Sequence, residues 1–227
     1  PSIQTLDEVV LEEVTDMANA FADNYRSLYA SRERPPCEVL SPLVADLPLP
    51  RLAASDRAEL GLPFCLDEVE KALTELNARR TPGPDGVPVE FYRCTHELLL
   101  QPMLDMFSDS IEHGHFPPEL DLASIVVLHM AGRPQIDYAS YRPISLINSE
   151  VKLYTKVLAN RLLPLLASLI HPDQCGFMPR RSTRHCIRRV HTALTQLASL
   201  GDPCALMFID FEKSFDSVAW PFLTEVL

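Results

Sequence analysis

An apolar run that ends in a carboxylate, Ala205-Leu206-Met207-Phe208-Ile209-Asp210, limits what this chain can fold into more than any other stretch. Such a run reads as a buried strand that delivers Asp210 to the edge of a sheet. The residues that follow, Phe211 to Asp216, turn toward a helix, with Ser214 or Asp216 as its cap. A strand end holds a carboxylate rigidly and leaves its oxygens open to a cation and a substrate, which suits metal chemistry. A solvated Asp closing an ordinary strand would look the same in isolation, so the rest of the chain has to decide.

The 227 residues have room for one large domain, or a smaller one with an extension, and can bury a substantial core. Hydrophobic residues make up 47%, which excludes global disorder. Pro is frequent (20) and Gly scarce (7), so helices punctuated by rigid turns are expected rather than glycine-rich loops. No apolar run is long enough to span a membrane, and no signal peptide precedes Pro1, so an intracellular fragment of a longer reading frame is expected. Cys37, Cys65, Cys94, Cys175, Cys186 and Cys204 include no C-x-x-C pair, which argues for free thiols rather than a zinc site or disulfide framework. His113-x-His115 has no partner ligands nearby in sequence. The net charge of −11 is unevenly spread: residues 1–75 carry six basic and fifteen acidic side chains, whereas Arg133 to Arg189 carry ten basic and three acidic, a local +7. A local basic stretch, not the total, attracts phosphates.

From Leu6 to Ala30 an apolar stripe at helical spacing predicts an amphipathic helix with an acidic outer face, packed on the domain that follows. Prolines from Pro35 to Pro63 predict a linker. A helix from Leu66 precedes the turn cluster Thr81-Pro82-Gly83-Pro84-Asp85-Gly86, and a second runs from Val89 to His113. Ala123 to Leu128 reads as a strand, Val151 to Ile170 and Arg184 to Leu200 as helices, and Ala205 opens the last strand.

Asp210-Phe211-Glu212-Lys213-Ser214-Phe215-Asp216-Ser217-Val218 resembles motif A of reverse transcriptases, an Asp followed five residues on by Phe-Asp, in the form carried by LINE-type (non-LTR) retrotransposons. Four further landmarks of that family stand upstream in its order. They are Pro82 to Gly86 between two helices, Tyr141-Arg142-Pro143-Ile144-Ser145-Leu146, Ala159-Asn160-Arg161-Leu162, and Gln174-x-Gly176-Phe177 with Arg181-Ser182. Together they cover about Leu66 to Val218. The resemblance implies a mixed α/β chain: a truncated right-hand polymerase whose helix-rich fingers lead into the first palm strand. Residues 1–65 are then a helical extension and Pro-rich linker, and residues 66–227 the incomplete polymerase domain.

The resemblance also assigns roles. Asp210 would be the catalytic ligand of Mg²⁺ (or Mn²⁺), with the backbone carbonyl of Phe211 beside it, in a reaction where two cations steady the attacking and leaving oxygens. Arg142 would hold the incoming triphosphate as a fork-shaped donor. Phe215 would be the sugar gate that excludes a ribose 2′-hydroxyl. Arg180, Arg181 and Arg184 would track nucleic-acid phosphates without sequence choice. The implied partners are an RNA template, a DNA primer or target, deoxynucleoside triphosphates, and the rest of a polyprotein: palm, thumb, and an endonuclease if one precedes Pro1. No membrane is implied, and the compartment would be nuclear or cytoplasmic.

The chain also departs from the pattern. Met130 stands where the family's fingers loop has Lys, with Arg133 the nearest substitute, Arg180 stands where it has Gly, and His185 where it often has Asp. No adjacent pair of aspartates occurs in these 227 residues, although the family completes its metal site with one. Alone, the chain is therefore expected not to polymerise. Two other readings stand beside this one. The chain could be a decayed element remnant acting at most as an RNA-binding module. Asp210-Phe211-Glu212 could also be the Asp-x-Glu of a metal-dependent exonuclease, a pattern that normally opens its domain rather than closing it.

Overall fold

Apolar residues three and four apart set where the packed helices form, and prolines and glycines set where they stop. The computed structural model describes residues 3–4, 10–11, 13–30, 50–201, 205–211, 214–218 and 223. In chain order these give β1 (Ile3–Gln4), β2 (Val10–Leu11), α1 (Val14–Tyr29), α2 (Ala54–Leu60), α3 (Leu66–Glu75), α4 (Val89–Cys94) and α5 (His96–His113). They continue with β3 (Ser124–His129), a 3-10 turn (Tyr138–Ser140), β4 (Tyr141–Leu146), α6 (Ser149–Leu169), α7 (Thr183–Leu200) and the single turn α8 (Ser214–Ser217). The chain is thus helix-rich with little sheet, a mixed α/β class. No helix among the described residues is long and apolar enough to cross a membrane.

Two compact units divide the chain. One takes Pro50–Leu128 and Pro143–Ile187, the other Pro1–Leu49, His129–Arg142 and Arg188–Leu227. This division by packing differs from the boundary at Leu66 drawn from the family motifs.

In the first unit, Val69, Ala72 and Leu73 of α3 bury one face against Val89 and Tyr92 of α4, Met103 and Phe107 of α5, and Leu153 and Val157 of α6. Each large apolar side chain fully removed from water stabilises by about 1.5–3 kcal/mol. Phe64, Phe107, Phe116 and Tyr154 pack as an aromatic cluster with centroids 4.9–6.5 Å apart. Arg161 closes the edge of this core. Its guanidinium donates to both carboxylate oxygens of Glu68, at 2.6 and 2.7 Å, and to the carbonyls of Leu60, Leu62 and Pro63, and lies 4.7 Å from the Phe64 ring centroid. Glu68 also accepts the Cys65 N–H, capping α3, and the Arg161 guanidinium holds its carboxyl below the usual carboxylate range. Asn160 and Lys156 hold Glu75 at the other end of the same helix.

The Pro-Gly-Pro-Asp-Gly turn is seated on the start of α6. Asn148 is fully buried at the helix's N-cap; its Oδ1 accepts the Asp85 N–H and its Nδ2 donates to the Glu119 carbonyl. Ser149 Oγ donates to Val87 O at 2.7 Å and Lys152 Nζ to Thr81 O at 2.9 Å. The Tyr92 hydroxyl donates to Glu150; burial and that carboxylate raise its pKa. A Cβ on Gly83 would overlap the Oδ1 and N of Asn148 and lie 2.6 Å from the Ile147 carbonyl carbon, so only glycine allows this approach.

In the second unit, Met17, Phe21 and Tyr25 form the buried stripe of α1, and Phe21 meets the edges of Tyr138 and Tyr141, both with centroids 5.1 Å away. The expected packing role of this helix holds. Its start does not: Val10 and Leu11 lie in a strand pair with Ile3 and Gln4, and the helix begins at Val14 rather than Leu6. β-branched Val10 fits the pleated pair better than a helix.

Two other expectations are corrected. The Pro-rich stretch contains α2, and the 89–113 helix is two helices broken at Thr95, whose hydroxyl competes for the Phe91 carbonyl. The part of that stretch from Ser31 to Leu49 lies outside the described residues.

Candidate active site

The loop expected to face a triphosphate is built by a glycine turn between β3 and β4. Arg133 N–H donates to Met130 O, with Gly132 between them at φ +80°, the value required at the third residue of a type II turn. His129 Nε2 bonds to Arg133 O, the Tyr141 hydroxyl donates to Gln135 O, and Met130 N–H donates to the carbonyl of fully buried Ser140. Arg142, the second residue of β4, is exposed, and its Nε donates to the Met130 sulfur at 3.2 Å. Met130 therefore occupies the flank of the arginine that the resemblance assigns to the triphosphate.

Asp210 lies in the same compact unit as Arg142. The expected strand is absent: Ala205 to Phe211 carry no regular secondary structure, and Phe208 and Ile209 are 84% and 72% exposed. A strand needs a hydrogen-bonded neighbour, and the described strands pair only as β1 with β2 and β3 with β4. Asp210 is exposed and makes no ion pair among the described residues. Phe215 is 83% exposed on α8.

For two hard cations this donor set is incomplete. Among the described residues no three His, Cys, Asp or Glu side chains come together, and Asp210 offers one carboxylate with the Phe211 carbonyl beside it in sequence. Glu212 lies outside the described residues.

The three candidate phosphate-binding arginines divide by what they touch. Arg181 Nη1 donates to the His171 and Gln174 carbonyls, at 2.8 and 2.9 Å, and its Nη2 to Ile170 O at 3.4 Å. It ties the 171–182 loop to the C-terminal end of α6. Arg180 and Arg184 are exposed. Arg180 has φ +60°, as does Phe177 in the Gln-x-Gly-Phe motif. Arg184 sits in the first turn of α7, one turn before Arg188.

Comparison with known proteins finds similarity over the C-terminal part of the chain. The family described as "Reverse transcriptase (RNA-dependent DNA polymerase)" matches residues 133–227.

Similarity to individual proteins reaches further along the chain. The chain is 27% identical to the Transposon TX1 uncharacterized 149 kDa protein of Xenopus laevis over 179 residues, 79% of this chain and 14% of that protein. It is 29% identical to the probable RNA-directed DNA polymerase from transposon BS of Drosophila melanogaster over 158 residues, 69% of this chain and 17% of the relative. It is also 29% identical to the RNA-directed DNA polymerase from mobile element jockey of the same fly over 168 residues, 72% and 18%. The chain thus spans less than a fifth of the curated relatives it matches.

Arg142, Asp210 and Phe215 share one unit, and Arg180, Arg181 and Arg184 the other. Sequence reasoning named the turn at Gly83 and the motif around Arg161 without giving either a task. An Asn just before a helix signals an N-cap; nothing local signals that Asn148 also receives a turn more than sixty residues upstream.

Proposed function

We propose that this chain is the fingers and palm entrance of an RNA-directed DNA polymerase from a non-LTR retrotransposon, which copies RNA into DNA by nucleotidyl transfer. The observation that carries the reading is the reverse transcriptase match over residues 133–227, which ends on the motif A segment containing Asp210. Bound Mg²⁺ or Mn²⁺ would supply charge stabilisation of the attacking and leaving oxygens; Asp210 and the Phe211 carbonyl are its donors in this part of the protein. Arg142 orients the triphosphate, Phe215 screens the sugar, and Arg180 and Arg184 take backbone phosphates while Arg181 shapes the loop that carries Arg180. An RNA template, a DNA primer and the rest of the polyprotein complete the assembly.

The test is primer extension on an RNA template by a longer polypeptide that adds the missing aspartate pair. Incorporation of deoxynucleotides that is abolished by Asp210→Asn, with RNA binding retained, supports the reading. The 227-residue chain alone is expected to show no extension. RNA binding without extension even by the longer protein would instead support the remnant reading, a non-catalytic RNA-binding module.

A further inference from the structure

We propose that Cys175 and Cys186 form a reversible disulfide, a modification site that pins the loop after α6 to the first turn of α7. Cys175 is 7% exposed, in the middle of the segment that Arg181 organises. Cys186 is half-buried on α7, and its sulfur lies 3.5 Å from the Asp173 carbonyl, two residues before Cys175. That carbonyl belongs to the loop segment that carries Cys175, and the Cys175 thiol raises the Cys186 pKa. The Cys186 sulfur therefore lies against the main chain of the segment that carries Cys175. The other described cysteines, Cys65 and Cys94, are exposed and stand on other elements.

The loop that carries Cys175 is ordered without this bond. Arg181 holds the carbonyls of Ile170, His171 and Gln174, Gln174 Nε2 donates to Gly176 O, and Met178 is buried beside them. Holding two reactants in place raises their effective concentration far above that of a thiol in solution. The hydrogen bond with the Cys175 thiol, then burial, raises the Cys186 pKa above its ordinary value, so oxidation should accelerate as pH rises.

The oxidant is a small-molecule disulfide. The more accessible Cys186 thiolate attacks one sulfur of oxidised glutathione, forming a mixed disulfide and expelling one glutathione thiolate. The Cys175 thiolate then attacks Cys186 Sγ and expels the protein-bound glutathione as a second thiolate. Two protein thiols lose two protons and two electrons, and one oxidised glutathione becomes two thiols. The ring so closed contains Phe177, Arg180, Arg181 and Arg184. This inference is independent of the polymerase reading and uses only the chain in hand.

The test is peptide mapping of the 227-residue chain. The reduced protein is exposed to oxidised glutathione, quenched with acid, digested without reductant and analysed by mass spectrometry. The expected main product joins the tryptic peptides that contain Cys175 and Cys186, forms faster at pH 8.5 than at pH 7, and disappears on adding dithiothreitol. In Cys175→Ser the second step is blocked, and Cys186 should accumulate as its glutathione adduct. A persistent Cys186 adduct in the unsubstituted chain would overturn the proposal. So would a Cys175–Cys186 peptide no more abundant than pairs involving Cys65 or Cys94.

Discussion

Arg180 stands where the family pattern has glycine, and its φ of +60° supplies the reason. A side chain in the left-handed region costs roughly 1–2 kcal/mol, while glycine gives back part of that gain as extra freedom in the unfolded chain. Arg180→Gly is therefore expected to stabilise the protein by about 0.5 kcal/mol net, read as a higher urea midpoint, and to weaken RNA binding if Arg180 meets a phosphate. A loss of stability would show that the arginine side chain holds the loop. Met130 departs from the pattern differently, since its sulfur accepts the Arg142 Nε–H where the family has lysine. Met130→Lys replaces a weak acceptor with an ammonium beside a guanidinium. The two cations repel when the site is empty and both favour an incoming triphosphate. In a longer polypeptide that proves to polymerise, the substitution should lower KM for deoxynucleotides severalfold and cost a little stability; an unchanged KM would mean that this loop does not meet the triphosphate.

At the scale of elements, the seat of the Pro82–Gly86 turn on α6 and the Arg161 clamp on α3 join segments far apart in sequence. Gly83→Ala pushes a methyl group into the main chain of Asn148 and Ile147, which cannot swing aside as a flexible side chain would. A loss of about 3 kcal/mol is expected, at the upper end of ordinary overpacking, measured by urea denaturation. Gly86→Ala meets no neighbouring atom and should cost only its left-handed backbone. Arg161→Ala should cost about 2–3 kcal/mol, less than a fully buried pair because the Glu68 side chain remains 30% exposed. The pH dependence has a definite sign. Glu68 has its pKa lowered in the folded state, so its contribution is complete above the unfolded value near 4.5 and is lost as pH falls through the folded value. Glu68→Gln should flatten the fall in stability between pH 5 and 3. Periodicity made α3, α6 and α7 legible in the sequence, because an apolar stripe every 3.6 residues is a local signal, although α7 buries none of its residues. The turn at Gly83 was legible as a turn, but its partner Asn148 was not, since no local pattern encodes which distant backbone a glycine approaches. The 205–210 strand was misjudged because an apolar run states that it wants a partner strand without stating whether one is at hand.

Across the whole molecule the net charge of −11 is unevenly spread, with ten basic and three acidic residues between Arg133 and Arg189. If that stretch meets RNA phosphates, binding should weaken with salt, each phosphate contact on a single strand adding about 0.7 to the slope of log K against log salt. The arginines need not contribute alike. Arg184 is exposed, whereas the guanidinium of Arg181 is engaged by three main-chain carbonyls. Truncating the first removes a counterion-releasing charge and leaves the loop intact. Truncating the second leaves the Ile170, His171 and Gln174 carbonyls without their donor and loosens the loop that carries Arg180. Arg184→Ala should therefore reduce the slope by about 0.7, with a moderate loss of affinity at low salt. Arg181→Ala should lower affinity at least as much while leaving the slope almost unchanged, because what it removes is preorganisation rather than a phosphate contact. Titrations of single-stranded RNA at several salt concentrations separate the two cases. A slope that falls by the same amount in both variants would place Arg181 on a phosphate, as the family resemblance by itself implies. A slope unmoved by either would mean that these arginines form an ordinary charged surface.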